Sequence, residues 1–344
     1  MSDEQVMQFA LSLAKSGSNQ TSPNPLVGCV ITKNEEIIGF GAHLKFGEAH
    51  AEINALKIAG ERAEGSKVYV TLEPCSHVGQ TGPCVEALIR AQVAHVFIAT
   101  LDPNPLVAGR GVRRLEEAGI TVSIGLCEEE AKVLNEAFFY YISHRLPYVT
   151  LKQAISLDGK ITAEIGKQTA ITGRLVQKDV HYTRSTHDAI LVGSNTICID
   201  DPSLTNRCST SNKQPIRIVI DRDGKVPNSA KVFNDKTALT WLFTTKSRKL
   251  AGVRTFVIED CSLRNVLRKL ADEGIMTLYV EAGCKMADAF LQQQFVQKMI
   301  IYIAPKLLGT NALSMTTIAL QEAFTFTKVE KIGEDIKLTM MMMK

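Results

Sequence analysis

The sequence predicts an α/β protein with two domains, which we place at residues 1–146 and residues 147–344. A chain of 344 residues is long for one hydrophobic core and suits two. Its apolar content of 45% and charged content of 22% are ordinary for a globular protein. Short apolar runs typical of strands alternate with helical patterns in both halves, as in layered α/β domains. Pro147 begins the second series of elements.

The first half opens with a helix over residues 3–16, in which apolar residues recur on one face. A loop rich in Ser, Asn and Pro follows it and leads into two strands. The predicted elements are then strands over 27–32 and 37–42, a helix over 50–59, a strand over 67–71, a helix over 84–91, a strand over 94–99, a helix over 111–118, a strand over 120–124 and a last helix over 128–143.

The second half predicts strands over 148–156, 189–192, 216–220, 238–243, 276–280 and 300–304, and helices over 173–186, 262–272 and 284–293. Two of its loops, 193–196 and 281–283, follow buried strands and suit a phosphate group, because backbone amides and a helix dipole favour anions there. Neither loop is a complete dinucleotide-binding fingerprint, so simple tight turns between strand and helix are an open alternative.

One stretch carries the chemistry of the first half, namely His50 and Glu52 together with Cys75 and Cys84. One imidazole and two thiolates form a three-ligand zinc set that leaves the fourth position to water. Glu52 follows the histidine by two residues and can move protons without binding the metal. This ordered set is the signature of zinc deaminases of nucleobases, in which an activated water attacks an amino-bearing ring carbon. The alternative is that the cysteines are small buried residues.

Charge and cysteine content limit the partners that we expect. Residues 1–146 hold 12 Lys and Arg against 17 Asp and Glu, a balance of −5, so that the remainder carries +8. A domain that grips nucleic acid would present a basic face, so we expect a small free substrate and no nucleic acid. The eight cysteines show no disulfide spacing, and no apolar run approaches a membrane span. We therefore expect a cytoplasmic protein without a membrane partner, and we expect a homo-oligomer.

Several segments, taken in order along both halves, resemble the bifunctional riboflavin biosynthesis deaminase–reductases of bacteria. They are residues 24–28, 43–52, 71–79 and 102–105 in the first half and 156–160, 188–193 and 201–207 in the second. The resemblance implies a cytidine-deaminase-like first domain that hydrolyses the ring amino group of a diaminopyrimidinone ribosylamino phosphate. It implies a second domain similar to dihydrofolate reductases, which uses NADPH to reduce the ribosyl chain to ribityl.

The resemblance also implies roles by position. The zinc ligands would be His50, Cys75 and Cys84, with Glu52 as the proton shuttle, and the substrate contacts of the deaminase would be Asn24, His43 and His77. In the reductase, the substrate positions are Gln168, Arg184, Leu204, Arg207 and Glu281, and the cofactor positions are Ala154, Ala170, Thr196, Asp200 and the turn from Gly283. Arg184 and Arg207 have the guanidinium fork that suits a sugar phosphate.

Arg222, which follows the strand over 216–220, is a candidate contact for the extra ribose phosphate of NADPH. The alternative is an exposed arginine in a turn. The chain departs from the usual family residues at Gln80, Gln168, Ala170 and Ala282, and these departures concern substrate affinity and the shape of the nicotinamide site.

Two rival interpretations share part of this pattern. A deaminase acting on tRNA or another nucleic acid base would have a basic first half and, usually, two ligand cysteines separated by two residues, whereas here eight separate Cys75 from Cys84. A structural zinc module without enzymatic activity would need a fourth protein ligand. His77 could supply it, although it follows Cys75 too closely for easy closure around one ion.

Overall fold

The computed structural model describes residues 1–76, 82–104, 108–208, 213–320 and 324–343. Its internal contacts divide the chain into two compact units, Met1–Arg145 and Leu146–Lys344. No helix in these described ranges is long and apolar enough to cross a membrane.

The first unit is a five-stranded sheet between two layers of helices. Its described elements are α1 (Asp3–Ala14), β1 (Gly28–Lys33), β2 (Glu36–Ala42), α2 (Ala51–Ala59), β3 (Lys67–Val70), α3 (Cys84–Arg90), β4 (His95–Ile98), α4 (Arg110–Glu117), β5 (Thr121–Ile124), α5 (Glu128–Leu134) and α6 (Glu136–His144). The strand order is β2-β1-β3-β4-β5, with β1 antiparallel to both neighbours and β3, β4 and β5 parallel. Apolar residues of α2, α3 and α4 pack on one face of the sheet, and those of α1 and α5 pack on the other.

Small residues bring the helices of this unit unusually close to the sheet. A Cβ atom placed on Gly28 would lie 1.9 Å from the carbonyl oxygen of Ala10 in α1. Gly39 and Gly41 in β2 approach α2 in the same way. A Cβ atom placed on Gly39 would lie 2.4 Å from the carbonyl oxygen of Ala55, and one placed on Gly41 would lie 2.6 Å from that of Ala51. Glycine is therefore required at these contacts, and the first turn of α2 is fixed against the sheet.

The second unit is built on a nine-stranded sheet. Its described elements are β6 (Tyr148–Ser156), β7 (Lys160–Thr162), α7 (Arg174–Ser185), β8 (Ala189–Gly193), α8 (Ser194–Asp200), β9 (Ile216–Ile220), α9 (Lys231–Asn234), β10 (Thr240–Thr244), β11 (Val253–Val257), α10 (Leu263–Asp272), β12 (Thr277–Glu281), α11 (Cys284–Gln292), β13 (Lys298–Ala304), β14 (Leu313–Ser314), β15 (Phe324–Ile332) and β16 (Asp335–Met342). The order is β11-β10-β9-β8-β12-β6-β13-β16-β15. The strands are parallel from β11 to β13, and the hairpin β15–β16 joins the sheet in antiparallel pairing.

The parallel strands place their carboxyl ends along one edge of the sheet. Gly193 pairs with Ile220 there, and Glu281 pairs with Lys152. Loops at this edge are the usual ligand-binding positions of open α/β sheets. Helix α7 covers the sheet through Val176 and Val180 in a core shared with β8, β12 and β13.

The predicted elements differ from the structure in three respects. The single helix predicted over 128–143 is interrupted at Asn135, which separates α5 from α6. Most of the loop predicted over 193–196 is the first turn of α8. The strands β7, β11, β14, β15 and β16 and the short helix α9 have no counterpart among the predicted elements.

Candidate active sites

The three predicted metal ligands meet in the first unit. His50 precedes α2 as its N-cap residue, and its Nδ1 atom lies 3.3 Å from Sγ of Cys84 and 3.6 Å from Sγ of Cys75. Cys84 begins α3, and its backbone amide donates to Sγ of Cys75 over 3.3 Å. The three ligand atoms all lie within 4.8 Å of one another, which is compact enough for one metal ion.

The protonation of the two thiols tests whether the site suits zinc. A hydrogen bond with Cys84, and then the neighbouring His50, lower the pKa of Cys75 to about 4 despite its burial. The hydrogen bond with Cys75, burial and nearby negative charge raise the pKa of Cys84. One thiolate therefore forms readily, and the second requires a cation beside it. A divalent metal with a preference for sulfur and imidazole supplies that cation, so the donor set fits zinc.

Glu52 lies beside these ligands in the first turn of α2. Its side chain is buried, and this burial, followed by the charge of Cys75, raises its pKa to about 7. A carboxyl group with such a pKa can take up or release a proton near neutral pH.

Asn24 and His43 form a hydrogen-bonded pair next to His50. Nδ2 of Asn24 lies 3.2 Å from Nε2 of His43, and Nδ1 of His43 lies 3.3 Å from the carbonyl oxygen of Ala49. Burial lowers the pKa of His43, so we assign a neutral ring that donates from Nδ1 and accepts from Asn24 at Nε2. The ring of His43 meets that of His50 edge-on, with centroids 5.2 Å apart. The predicted contact His77 and the departure Gln80 lie outside the described residues.

Sequence reasoning missed Asn135, which fixes the loop that carries Asn24. Its side chain accepts from the backbone amide of Leu26 over 2.8 Å and donates to the carbonyl of Leu26 over 2.9 Å. Asn135 is 3% exposed. An asparagine inside one predicted helix gives no sign in the sequence that it ends that helix or of which backbone it binds.

A buried group of charges occupies the carboxyl edge of the sheet in the second unit. Arg184 from α7 binds Glu281 at the end of β12 through two hydrogen bonds, Nε to Oε1 at 2.7 Å and Nη2 to Oε2 at 3.0 Å. Lys152 is paired with Glu281 in the sheet register. Burial alone would raise the pKa of Glu281, but the charges of Arg184 and Lys152 outweigh it and lower that pKa to about 2.

Three predicted substrate positions of the reductase, Arg184, Glu281 and Leu204, lie close together, and the guanidinium group of Arg184 is bound within the protein. Besides Glu281, it binds the carbonyl oxygen of Thr205 through Nη1 at 3.0 Å. His181, which was not predicted, has Nδ1 3.1 Å from the same oxygen. Leu204 precedes this carbonyl, is buried and has a φ of 54°, which is rare for a branched residue. Arg207 is exposed, and its backbone nitrogen lies 3.3 Å from Nδ1 of His181.

The predicted cofactor positions are spread over the same half of the chain. Ala154 lies in β6, Thr196 and Asp200 lie in α8, and Gly283 is the N-cap residue of α11. Gln168 and Ala170 are exposed before α7, and the carbonyl of Ala170 accepts from Nζ of Lys306 over 2.9 Å. The side chain of Arg222 is 68% exposed, and its Nε lies 3.2 Å from Oδ1 of Asp223, so it is not joined to the buried group of charges.

Comparisons with known proteins cover both halves of the chain. Residues 1–100 match the family model of the cytidine and deoxycytidylate deaminase zinc-binding region, and residues 147–338 match that of the RibD C-terminal domain. The riboflavin biosynthesis protein RibD of Aquifex aeolicus is 44% identical over 97% of each chain. That of Escherichia coli is 42% identical over 98% of this chain and 99% of its own.

Solved structures agree with these matches over nearly the whole length. RibD of Acinetobacter baumannii is 40% identical and gives a TM-score of 0.93 over 99% of each chain. A diaminohydroxyphosphoribosylaminopyrimidine deaminase/5-amino-6-(5-phosphoribosylamino)uracil reductase of Thermotoga maritima is 34% identical, with a TM-score of 0.90 over 99% of this chain and 98% of its own.

The predicted fold class and the predicted pair of activities are confirmed by these relatives. The first half has the cytidine-deaminase-like fold with a zinc-binding region, and the second has the dihydrofolate-reductase-like fold of an NADPH-dependent reductase. The nucleic-acid deaminase and the structural zinc module are not favoured. The chain belongs to the RibD family of bifunctional deaminase–reductases in riboflavin biosynthesis.

Proposed function

We propose that the two halves catalyse consecutive steps on one phosphorylated pyrimidine. The first step is hydrolytic deamination of a diaminopyrimidinone ribosylamino phosphate, and the second is NADPH-dependent reduction of its ribosyl chain to ribityl. The observation that carries the proposal is the compact set of His50, Cys75 and Cys84 with the buried carboxyl group of Glu52 beside it.

In the deaminase, His50, Cys75 and Cys84 hold the zinc ion. When bound, zinc supplies Lewis acidity and lowers the pKa of a water molecule. Glu52 accepts a proton from the attacking water and passes it to the amino nitrogen, so that a carbon–oxygen bond forms, the carbon–nitrogen bond breaks and ammonia leaves. Asn24, held by His43, orients the ring, and we propose His77 as a further substrate contact.

In the reductase, bound NADPH supplies a hydride. Gln168, Arg184, Leu204, Arg207 and Glu281 hold the substrate, and Ala154, Ala170, Thr196, Asp200, Arg222 and Gly283 line the cofactor site. Lys152 and Arg184 keep Glu281 ionised, which suits a carboxylate that accepts hydrogen bonds from sugar hydroxyl groups. Because Arg184 is already bound to Glu281 and Thr205, the exposed Arg207 is the better candidate for the phosphate.

We assign the deaminase to residues 1–146 and the reductase to residues 147–344, and we infer a homo-oligomer in the cytoplasm that binds no nucleic acid. The acidic balance of the first half supports a small substrate over a polyanion. No disulfide bond links any two of the eight cysteines, all of which lie in the described part of the chain, and this suits a reducing compartment.

The direct test is to incubate the purified protein with the diaminopyrimidinone substrate, with and without NADPH, and to identify the products by mass. Without NADPH we expect the product in which an amino group is replaced by oxygen. With NADPH we expect that product to gain two hydrogens. If the substrate stays unchanged in a zinc-loaded sample, the proposed substrate is wrong.

A further inference from the structure

Glu73 is a buried carboxylate to which the chemistry described above gives no role. It lies two residues before Cys75, and its side chain is 5% exposed. Oε2 accepts from the backbone amides of Asp102 at 3.3 Å and Gly109 at 3.0 Å, and Oε1 accepts from that of Gly111 at 2.9 Å. One side chain therefore ties the Cys75 segment to three backbone amides between residues 102 and 111.

Two of these amides belong to the start of α4, which has no side-chain cap among the described residues. Gly109 is the N-cap residue, with a φ of 74° and no side-chain cap. The first turn contains Arg110 and Arg113 and no acidic residue. The positive end of a helix favours a negative partner, and Glu73 provides that partner from a distant part of the chain.

The main chain around Glu73 is held just as closely. A Cβ atom placed on Gly111 would lie 2.5 Å from the carbonyl oxygen of Pro74 and 3.1 Å from Oε1 of Glu73. The amide of Glu73 donates to the carbonyl of Thr100 over 3.0 Å, and the carbonyl of Cys75 accepts from the amide of Val85 over 3.3 Å. The segment that carries Cys75 is therefore held by Thr100, by Val85 and by the start of α4, in addition to the side chain of Glu73.

We propose that Glu73 is a positioning residue of the deaminase. It acts only through backbone amides, and it fixes the turn at Asp102 and Asn104, which is closed by a hydrogen bond of 2.8 Å from the amide of Asn104 to Oδ1 of Asp102. In this proposal the turn, which Glu73 ties to the segment that carries Cys75, contacts the phosphorylated pyrimidine beside the metal, so that substrate capture depends on Glu73. The inference rests on the proposed function of the first unit and adds a determinant of substrate affinity.

The test compares Glu73→Gln with Glu116→Gln, which changes an exposed glutamate in the same helix α4. Glutamine keeps the shape of Glu73 but presents an amide donor to amides that are themselves donors. For Glu73→Gln we expect a KM for the pyrimidine higher by about tenfold, with a much smaller change in kcat. Zinc content and reduction of supplied deaminated intermediate should match those of the wild type. Glu116→Gln should match the wild type in every assay.

Hydrogen exchange of the zinc-loaded protein without substrate tests the contact directly. Peptides that contain the amides of residues 102, 109 and 111 should exchange faster in Glu73→Gln and not in Glu116→Gln. Gly111→Ala disturbs the same contact from α4 and should raise KM likewise. An unchanged KM in a variant with faster exchange would refute the proposal, as would loss of zinc in parallel with activity. If the wild type left the pyrimidine unchanged, the proposed function would fail, and the exchange data alone would still decide whether Glu73 fixes this segment.

Discussion

Glu52 combines deep burial with a need to exchange protons. Its side chain is 3% exposed, and burial raises its pKa to about 7. For Glu52→Gln we expect deamination to fall by at least ~100-fold, because glutamine keeps the hydrogen bonding but cannot accept the proton. Zinc content, measured by metal analysis, should be unchanged. Reduction of supplied deaminated intermediate is the control, and loss of that activity in a folded variant would contradict separate sites.

His187 makes the stability of the second unit depend on pH. It is buried, with Nδ1 2.8 Å from the carbonyl of Thr183 and Nε2 3.0 Å from Oγ1 of Thr150. Burial lowers its pKa from 6.5 to about 4. Because the unfolded chain binds more protons between these values, stability is full above pH 6.5 and is lost as pH falls toward 4. When the pH is lowered from 7 to 5, this group alone should reduce the free energy of unfolding by about 2 kcal/mol.

Urea unfolding followed by the fluorescence of Trp241 checks this prediction. The chain has a single tryptophan, which lies in β10 and so reports on the second unit. The His187→Gln variant should be less stable than the wild type at pH 7, but it should lose less stability than the wild type when the pH is lowered to 5. An equal loss in both proteins would mean that other groups cause the pH dependence.

The residues that carry the chemistry were accessible from the sequence, whereas those that hold the backbone were not. His50, Cys75 and Cys84 are recognisable because zinc requires their side-chain types in that order. Glu73 and Asn135 bind backbone amides and carbonyls of distant segments. Every residue type except proline offers the same amide, so the sequence gives no indication of these partners.

At the scale of elements, close packing of β2 against α2 positions the zinc site. A Cβ atom on Gly41 would lie 2.6 Å from the carbonyl of Ala51 and 2.8 Å from the amide of Ala55. For Gly41→Ala we expect the free energy of unfolding to fall by about 1–3 kcal/mol, as is typical of overpacking. We also expect a shift of the helical turn that carries Glu52. Deaminase activity and zinc retention should fall, while reduction persists.

Glu36→Ala, at an exposed position of the same strand, is the matched control for Gly41→Ala and should retain both activities. Metal analysis after dialysis, together with the two half-reactions, distinguishes the variants. Full zinc retention and normal deamination in Gly41→Ala would show that α2 can move without disturbing the site.

The long, periodic elements could be predicted, and the exceptions have identifiable physical causes. Asn135 ends one helix because its side chain pairs with the backbone of Leu26, a contact made across 109 residues. In the hairpin β15–β16, an irregularity between Phe326 and Lys328 shifts the register and interrupts the alternation of apolar residues that identifies a strand. The edge strand β11 is largely solvent-accessible and so lacks a strong apolar pattern.

At the scale of the whole molecule, the two chemistries should separate by mutation. Arg184 forms its two bonds to Glu281 in a unit distinct from the one that contains Glu52. Arg184→Ala leaves Glu281 buried beside Lys152. Removal of one partner of a buried ion pair costs about 3–5 kcal/mol of stability. Because Glu281 also loses the two bonds that orient it, reduction should fall by about 100-fold, while zinc content and deamination persist.

A mixture of Glu52→Gln and Arg184→Ala then tests whether the two steps need one and the same chain. Neither variant alone should convert the diaminopyrimidinone to the ribityl product, since each lacks one step. If the deaminated intermediate can leave one chain and bind another, the equimolar mixture should form that product, and mass analysis of the reaction would show it. Trp241 fluorescence verifies that the second unit of Arg184→Ala is folded. If the mixture forms no ribityl product while each variant keeps its own half-reaction, the intermediate does not pass between chains, and the two steps are coupled within one molecule.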